Sequence, residues 1–106
     1  MALTFGAGLL EACMLAVLNS EDTYGYKLTQ QTKEMLDISE STIYPVLRRM
    51  QKTGWLEIYD QPHLGRNRRY YRITDAGKTQ YETYVKQWLE YKEKVDAMLF
   101  GGGISE

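Results

Sequence analysis

Residues 39–55 read SESTIYPVLRRMQKTGW. Ile43, Val46, Leu47 and Met50 fall at i, i+3, i+4 and i+7, the spacing that lines apolar side chains along one helical face. Pro45 sits among them, where its ring removes a backbone donor and crowds the carbonyl four residues back. At about 100° per residue the apolar four share one arc. Ser41, Pro45, Arg48 and Lys52 occupy the opposite arc, flanked by Thr42 and Arg49, with Tyr44 at its edge. The outward face is therefore hydroxylated at its N-terminal end and basic at its C-terminal end. Ser41 or Ser39 can serve as N-cap. With Ser41 the proline falls in or just past the first turn. With Ser39, the favoured choice, the helix must bend at Pro45 or lose one bond.

Working outward, Gly54 follows the basic last turn Lys52-Thr53 and is the expected helix stop. Beyond it the period changes from 3.6 to 2. Leu56 and Ile58 alternate with Glu57, and Tyr71 and Ile73 alternate with Tyr70 and Arg72. Between these runs lies QPHLGRN, with Pro62 and Gly65 as turn formers. The prediction is a two-stranded antiparallel hairpin with a basic tip.

Upstream, Leu10, Cys13, Met14, Val17 and Leu18 predict a helix from Gly8 to Leu18. Asp22 or Thr23 can cap a second helix carrying Tyr24, Leu28, Thr32, Met35 and Leu36 on one side. Gly25 in its first turn is either tolerated or marks close approach of a neighbouring element. Downstream, Thr74-Asp75 caps a long helix from Asp75 to Phe100. Tyr81, Val85, Trp88, Val95 and Leu99 form one stripe along it, and Tyr84, Tyr91 and Met98 a second. That apolar surface is wider than a small domain can cover, so the same helix of a second subunit is the expected partner. Gly101 to Glu106 should form a mobile tail. The fold class is α+β, mostly α. The organisation is a unit of three helices and a hairpin over 1–75, a dimerisation helix over 76–100 and a tail over 101–106.

Composition narrows the function. With 106 residues, 43% hydrophobic and 25% charged, the chain suits one soluble globular domain. No apolar run approaches the roughly 18 residues of a membrane span, and Glu11 interrupts the apolar N-terminus, against a secretory signal. One cysteine cannot form an internal disulfide, which fits a reducing cytoplasm. Cys13 reads as a small core residue, and His63 as part of a turn. Neither a nucleophilic pair nor a metal site has enough ligands, and no phosphate-binding glycine loop follows a strand. No enzyme, cofactor or metal is expected.

The net charge of −1 conceals a segregation. Between Ser41 and Lys78 stand eight bases against three acids; the rest of the chain holds five bases against eleven acids. A basic helix followed by a basic hairpin suits a DNA duplex. The helix N-terminus would enter the major groove, and the arginines and hairpin tip would meet phosphates. The free Ser41 carbonyl costs little where it faces water or DNA.

Three ordered motifs, YGYKL, SESTIYPVLRRMQKTGWL and GRNRRYYRITDAGK, together resemble the PadR family of winged-helix transcriptional regulators over roughly residues 8–80. The resemblance implies a winged helix-turn-helix in a cytoplasmic bacterial repressor. It also implies a homodimer on a palindromic operator, released in some members by a small effector. By the family's pattern Ser41, Thr42 and Tyr44 approach the DNA, and Gly65-Arg66-Asn67-Arg68-Arg69 form the wing. Ser41 stands where the family often has Gly and Asn67 where Pro is common, which bears on base preference and wing geometry. The short final segment resembles the smaller members.

Arg66, Arg68 and Arg69 suit phosphate or minor-groove contacts, while Thr42 and Tyr44 suit register through phosphate or thymine-methyl contacts. Arg48 can reach a guanine or a phosphate, and Arg49, Lys52 and Asn67 complete the candidate surface. Tyr71 and Trp55 are expected to pack; Tyr70 is left open. In the implied dimer the last helix packs on the partner's first helix. Leu10 and Met14 then join Tyr81, Tyr84, Val85, Trp88, Tyr91 and Val95 as candidates for the interface or for a planar aromatic effector site. Two other functions fit the same residues: a winged-helix protein–protein module, and a ligand-sequestering dimer without specific DNA binding.

Overall fold

The computed structural model describes residues 7–101. Its elements run α1 (Ala7–Ser20), β1 (Thr23–Tyr24), α2 (Gly25–Leu36), α3 (Glu40–Thr53), β2 (Leu56–His63), β3 (Arg66–Ile73) and α4 (Asp75–Phe100). This is a winged helix-turn-helix with a long C-terminal helix. Residues 102–106, the greater part of the expected tail, lie outside the described residues.

The quoted helix forms as its spacing requires. Ile43, Val46, Leu47 and Met50 are its buried residues, packed with Met14, Leu15 and Leu18 of α1, Leu28 of α2, and Leu56 and Ile73 of the sheet. Ser39 is the N-cap and Pro45 lies inside the helix. The Ser39 carbonyl accepts from the Thr42 and Ile43 amides at 3.1 and 3.2 Å. Its hydroxyl makes no cap bond and instead lies 3.0 Å from Ser41 Oγ and 3.2 Å from Thr42 Oγ1. Gly54 closes the helix at φ 95°, in the left-handed region.

Three expectations are corrected. First, Thr23 and Tyr24 do not begin a helix. They pair with Tyr71 and Tyr70, making a three-stranded sheet of order β1-β3-β2 where a two-stranded hairpin was expected. Asp22 therefore caps nothing, and accepts a 2.7 Å bond from the Tyr59 hydroxyl. Second, α2 buries Leu28, Thr29 and Thr32, whereas Met35 is 81% exposed. The helix leaves the core at its last turn, so its apolar period outruns the surface available to cover it. Third, the strands continue through QPHLGRN, with Pro62 opposite Asn67 and His63 opposite Arg66. Pro62 is tolerated because β2 is an edge strand. Only Leu64 and Gly65 form the turn, both at positive φ, 53° and 80°. Two left-handed residues in a two-residue loop make a turn of the primed type, whose twist matches the strands. A leucine in that conformation costs about 1–2 kcal/mol.

Gly25 does mark a close approach: a Cβ there would lie 3.2 Å from Tyr71 Cε1. A second glycine is tighter still. Thr74 caps α4, its hydroxyl accepting from the Gly77 amide at 3.0 Å and donating to the Gly54 carbonyl at 2.7 Å. This clasp draws buried Gly77 onto the Trp55 carbonyl, where a Cβ would overlap the oxygen.

The 26 residues of α4 span about 39 Å at 1.5 Å each. Its first turns pack on the core through Tyr81 and Tyr84. Farther along, Leu89, Met98, Leu99 and Phe100 are 60–82% exposed. The radius of gyration is 16.1 Å, against about 13 Å for a compact domain of this length, because α4 projects from the body.

Candidate nucleic-acid interface

Ser41, Thr42, Tyr44, Arg48 and Lys52 are all exposed on α3. Of α3, Tyr44 and Leu47 line a cleft whose other lining includes Arg66, Asn67, Arg68 and Arg69 of the wing. The strand register divides the wing residues by face. Asn67 and Arg69 lie on the same side of β3 as Tyr71 and Ile73, toward the helices; Arg66, Arg68, Tyr70 and Arg72 lie on the other. Arg69 thus stands with Asn67 nearer α3, and its guanidinium makes an exposed 3.8 Å contact to Asp60.

The outer face of the wing is an aromatic ladder that the sequence did not disclose. Tyr59 stacks on Tyr70 at 5.5 Å between centroids, and Tyr24 meets the Tyr70 edge at 5.8 Å. The Arg68 guanidinium lies 3.9 Å above the Tyr24 ring and that of Arg72 lies 4.9 Å from Tyr59. Arg72 also donates to Glu57 at 2.8 Å. Cation–π contact of this kind orients a guanidinium while leaving its edge free to donate. Tyr70 is thus the centre of a stack, Tyr71 packs against the core, and Trp55 meets Tyr84 edge-on at 6.2 Å. Burial raises the Tyr71 phenol above its ordinary pKa. For Tyr59 the rise comes first from its hydrogen bond to Asp22. Both stay neutral donors at physiological pH.

Arg49 is placed differently from its neighbour Arg48. It turns to Glu11 of α1, whose Oε2 accepts from Nε at 3.0 Å and from Nη2 at 2.6 Å. The other carboxylate oxygen accepts from the Tyr84 hydroxyl of α4 at 2.5 Å. Glu11 is only 5% exposed. A carboxylate so buried requires compensation, and here one oxygen receives two N–H groups of a cation and the other a neutral donor. Burial, then the bond to Glu11, pushes the Tyr84 phenol far above its usual range, so it stays a donor at any physiological pH. Glu11 thereby ties α3 to both α1 and α4. The one hint of this in the sequence was a charged residue inside an apolar stretch.

Among the other candidates, Met14 is fully buried in the chain's own core and offers no surface to a partner. Leu10, Tyr81, Tyr84, Val85 and Trp88 line a second, apolar hollow of about 590 Å³ between α1 and α4. Tyr91 and Val95 are half-buried one and two turns beyond it. Cys13 also lines the hollow, with burial raising its thiol pKa, which makes it a poorer nucleophile. Among the described residues no group of His, Cys, Asp and Glu is arranged to hold a metal ion, and no helix is long and apolar enough to cross a membrane.

Comparison with known proteins agrees with this geometry. A Streptococcus mutans protein of known structure is 37% identical, with a TM-score of 0.84, over 100% of this chain and 97% of its own. A PadR-like transcriptional regulator from Bacillus cereus is likewise 37% identical, with a TM-score of 0.77, over 87% of this chain and 92% of its own. Bacillus subtilis PadR, solved in complex with operator DNA, shares the fold at 24% identity and a TM-score of 0.63, over 73% of this chain and 46% of that longer one. Residues 14–83 match the pattern of the transcriptional regulator PadR-like family. From Met14 in α1 to Thr83 in α4, the matched stretch contains the recognition helix, the wing and the clasp that joins them to α4, and the chain belongs to that family.

Proposed function

We propose that this transcriptional regulator is a homodimeric repressor that binds a palindromic operator through α3 and the β2–β3 wing. The observation that carries the reading is the shared cleft: Tyr44 of α3 lines it with Arg66, Arg68 and Arg69 of the wing, and Ser41, Thr42, Arg48 and Lys52 are exposed on the same helix. A recognition helix with its N-terminal residues at base edges, flanked by a basic wing at the backbone, is the docking geometry expected of helix-turn-helix proteins. The fold-mate from Bacillus subtilis was solved with operator DNA. The exposed apolar residues of α4 support the dimer: Leu89, Met98, Leu99 and Phe100 are 60–82% exposed, more large apolar surface than a lone helix leaves in water.

Removing two wing arginines tests the reading. The Arg69–Asp60 pair is exposed on both sides, so Arg66→Ala with Arg69→Ala should change stability by less than about 0.5 kcal/mol. The variant should sediment as a dimer like the parent. Its DNA affinity should fall, with a salt slope shallower by about four, one per lost phosphate contact over two protomers. Unchanged DNA affinity would assign the wing another partner.

The hollow between α1 and α4 has the size of a small-molecule site and is lined by aromatic side chains. We assign to it a planar aromatic effector that alters the spacing of the two recognition helices. Such compounds should quench Trp88 emission in the parent and leave the Trp88→Phe variant's remaining emission unchanged. A broad aromatic panel giving no Trp88-dependent signal rejects the assignment.

A further inference from the structure

The tip of the wing breaks two local rules at one residue. Leu64 occupies the first position of the turn at φ 53°, where asparagine or glycine is the usual occupant. It is also 89% exposed, the highest value among the large hydrophobic residues described. A leucine there serves neither the turn nor the solvent. Strained backbone combined with an unburied apolar side chain is the pattern of a contact completed by another molecule.

Its surroundings indicate which molecule. Leu64 borders the cleft shared by α3 and the wing, and Arg66, Arg68 and Arg69 follow within five residues. An apolar partner protein would find a single leucine ringed by cations, a poor hydrophobic anchor. A duplex offers anionic phosphates to the arginines and, between them, a minor groove whose sugar walls and base-step edges accept an apolar side chain. We propose that Leu64 is a DNA-contacting residue that seats in the minor groove. There it excludes water and makes binding sensitive to groove width and step deformability at positions flanking those read by α3. The inference rests on the reading of α3 and the wing as the DNA surface, and adds to it a residue that supplies apolar contact without charge.

The test exploits the conflict between turn and function. Leu64→Asn installs a residue that favours this turn, so the thermal midpoint should hold or rise. Duplex affinity should nevertheless fall about tenfold, and the salt slope should stay that of the parent because no phosphate contact is lost. Leu64→Met, which keeps the apolar reach, should restore most of the affinity. Equal DNA affinity for the parent and Leu64→Asn overturns the contact while leaving the DNA reading intact. A change in dimer mass with Leu64→Asn would place the leucine against a second copy and also overturns it. Absence of salt-dependent duplex binding by the parent itself is the separate result that would remove the reading beneath it.

Discussion

Gly77→Ala should unfold this protein more readily than any other one-methyl change in α4. Helix propensity alone favours alanine over glycine by about 1 kcal/mol. Here the added Cβ overlaps the Trp55 carbonyl oxygen and lies 2.8 Å from Ile73 Cγ1. Backbone cannot swing aside as a flexible side chain would. That oxygen also accepts the Thr74 amide at 3.0 Å, the bond that seats the start of α4. Overpacking typically costs about 1–3 kcal/mol and occasionally more, and displacing the carbonyl forfeits roughly another 1 kcal/mol. The steric term wins, with a net loss of about 2–3 kcal/mol. At about 4–8 °C per kcal/mol the thermal midpoint should drop by about 10 °C or more. An alanine variant as stable as the parent would mean that α4 does not sit on Trp55 as described.

Arg49→Met is the second large effect, and it separates Arg49 from its neighbours on α3. The substitution leaves the Glu11 carboxylate, 5% exposed, with the Tyr84 hydroxyl as its remaining donor among those described above. Breaking a buried pair on one side costs about 3–5 kcal/mol. The Arg49 side chain is 48% exposed, so water can partly replace it and the low end of that range is expected. Adding Glu11→Leu should recover much of the loss, since an apolar side chain suits the α1 surroundings better than an unpaired charge. Urea unfolding of the two single variants and the double gives the coupling directly. A double variant no more stable than Arg49→Met, or a single-variant loss under about 1 kcal/mol, would show that the Glu11 bridge contributes little. Because the bridge joins α3 to α4, the single variant should also bind DNA more weakly at temperatures where it remains folded. Arg48→Ala, by contrast, should reduce DNA binding with little change in stability.

The recognition helix was legible because its four apolar residues keep one period and all four are buried, with Pro45 falling on the outward arc where its lost bond is cheap. The cap at Ser39, the stop at Gly54 and the start of α4 at Thr74 followed from short-range chemistry. What stayed hidden was set at long range. A two-residue strand has no period, and Thr23-Tyr24 becomes one only because Tyr70 and Tyr71 lie alongside. Met35 keeps the helical spacing but has no surface to meet. Gly77 sits in a polar stretch that reads as a simple helix start, and its role depends on a carbonyl 22 positions away in the sequence. Arg48 and Arg49 are adjacent and chemically alike, and the 100° between them on a helix, about one residue's turn, decides which one faces solvent and which one Glu11. The candidate DNA surface was recognisable as a composition of bases. Its division into inward and outward wing faces, and the ring beneath Arg68, came from strand register.

We propose that α3 and the wing bind duplex DNA by neutralising phosphates. Fluorescence anisotropy of a labelled duplex from the region upstream of the gene, titrated with the full chain from 50 to 200 mM salt, addresses it most directly. With about 6–10 phosphates neutralised by a dimer, affinity should fall on the order of 10³–10⁵-fold across that range and exceed that for random duplex throughout. A weak response that is flat in salt, on upstream fragments and random DNA alike, would contradict it.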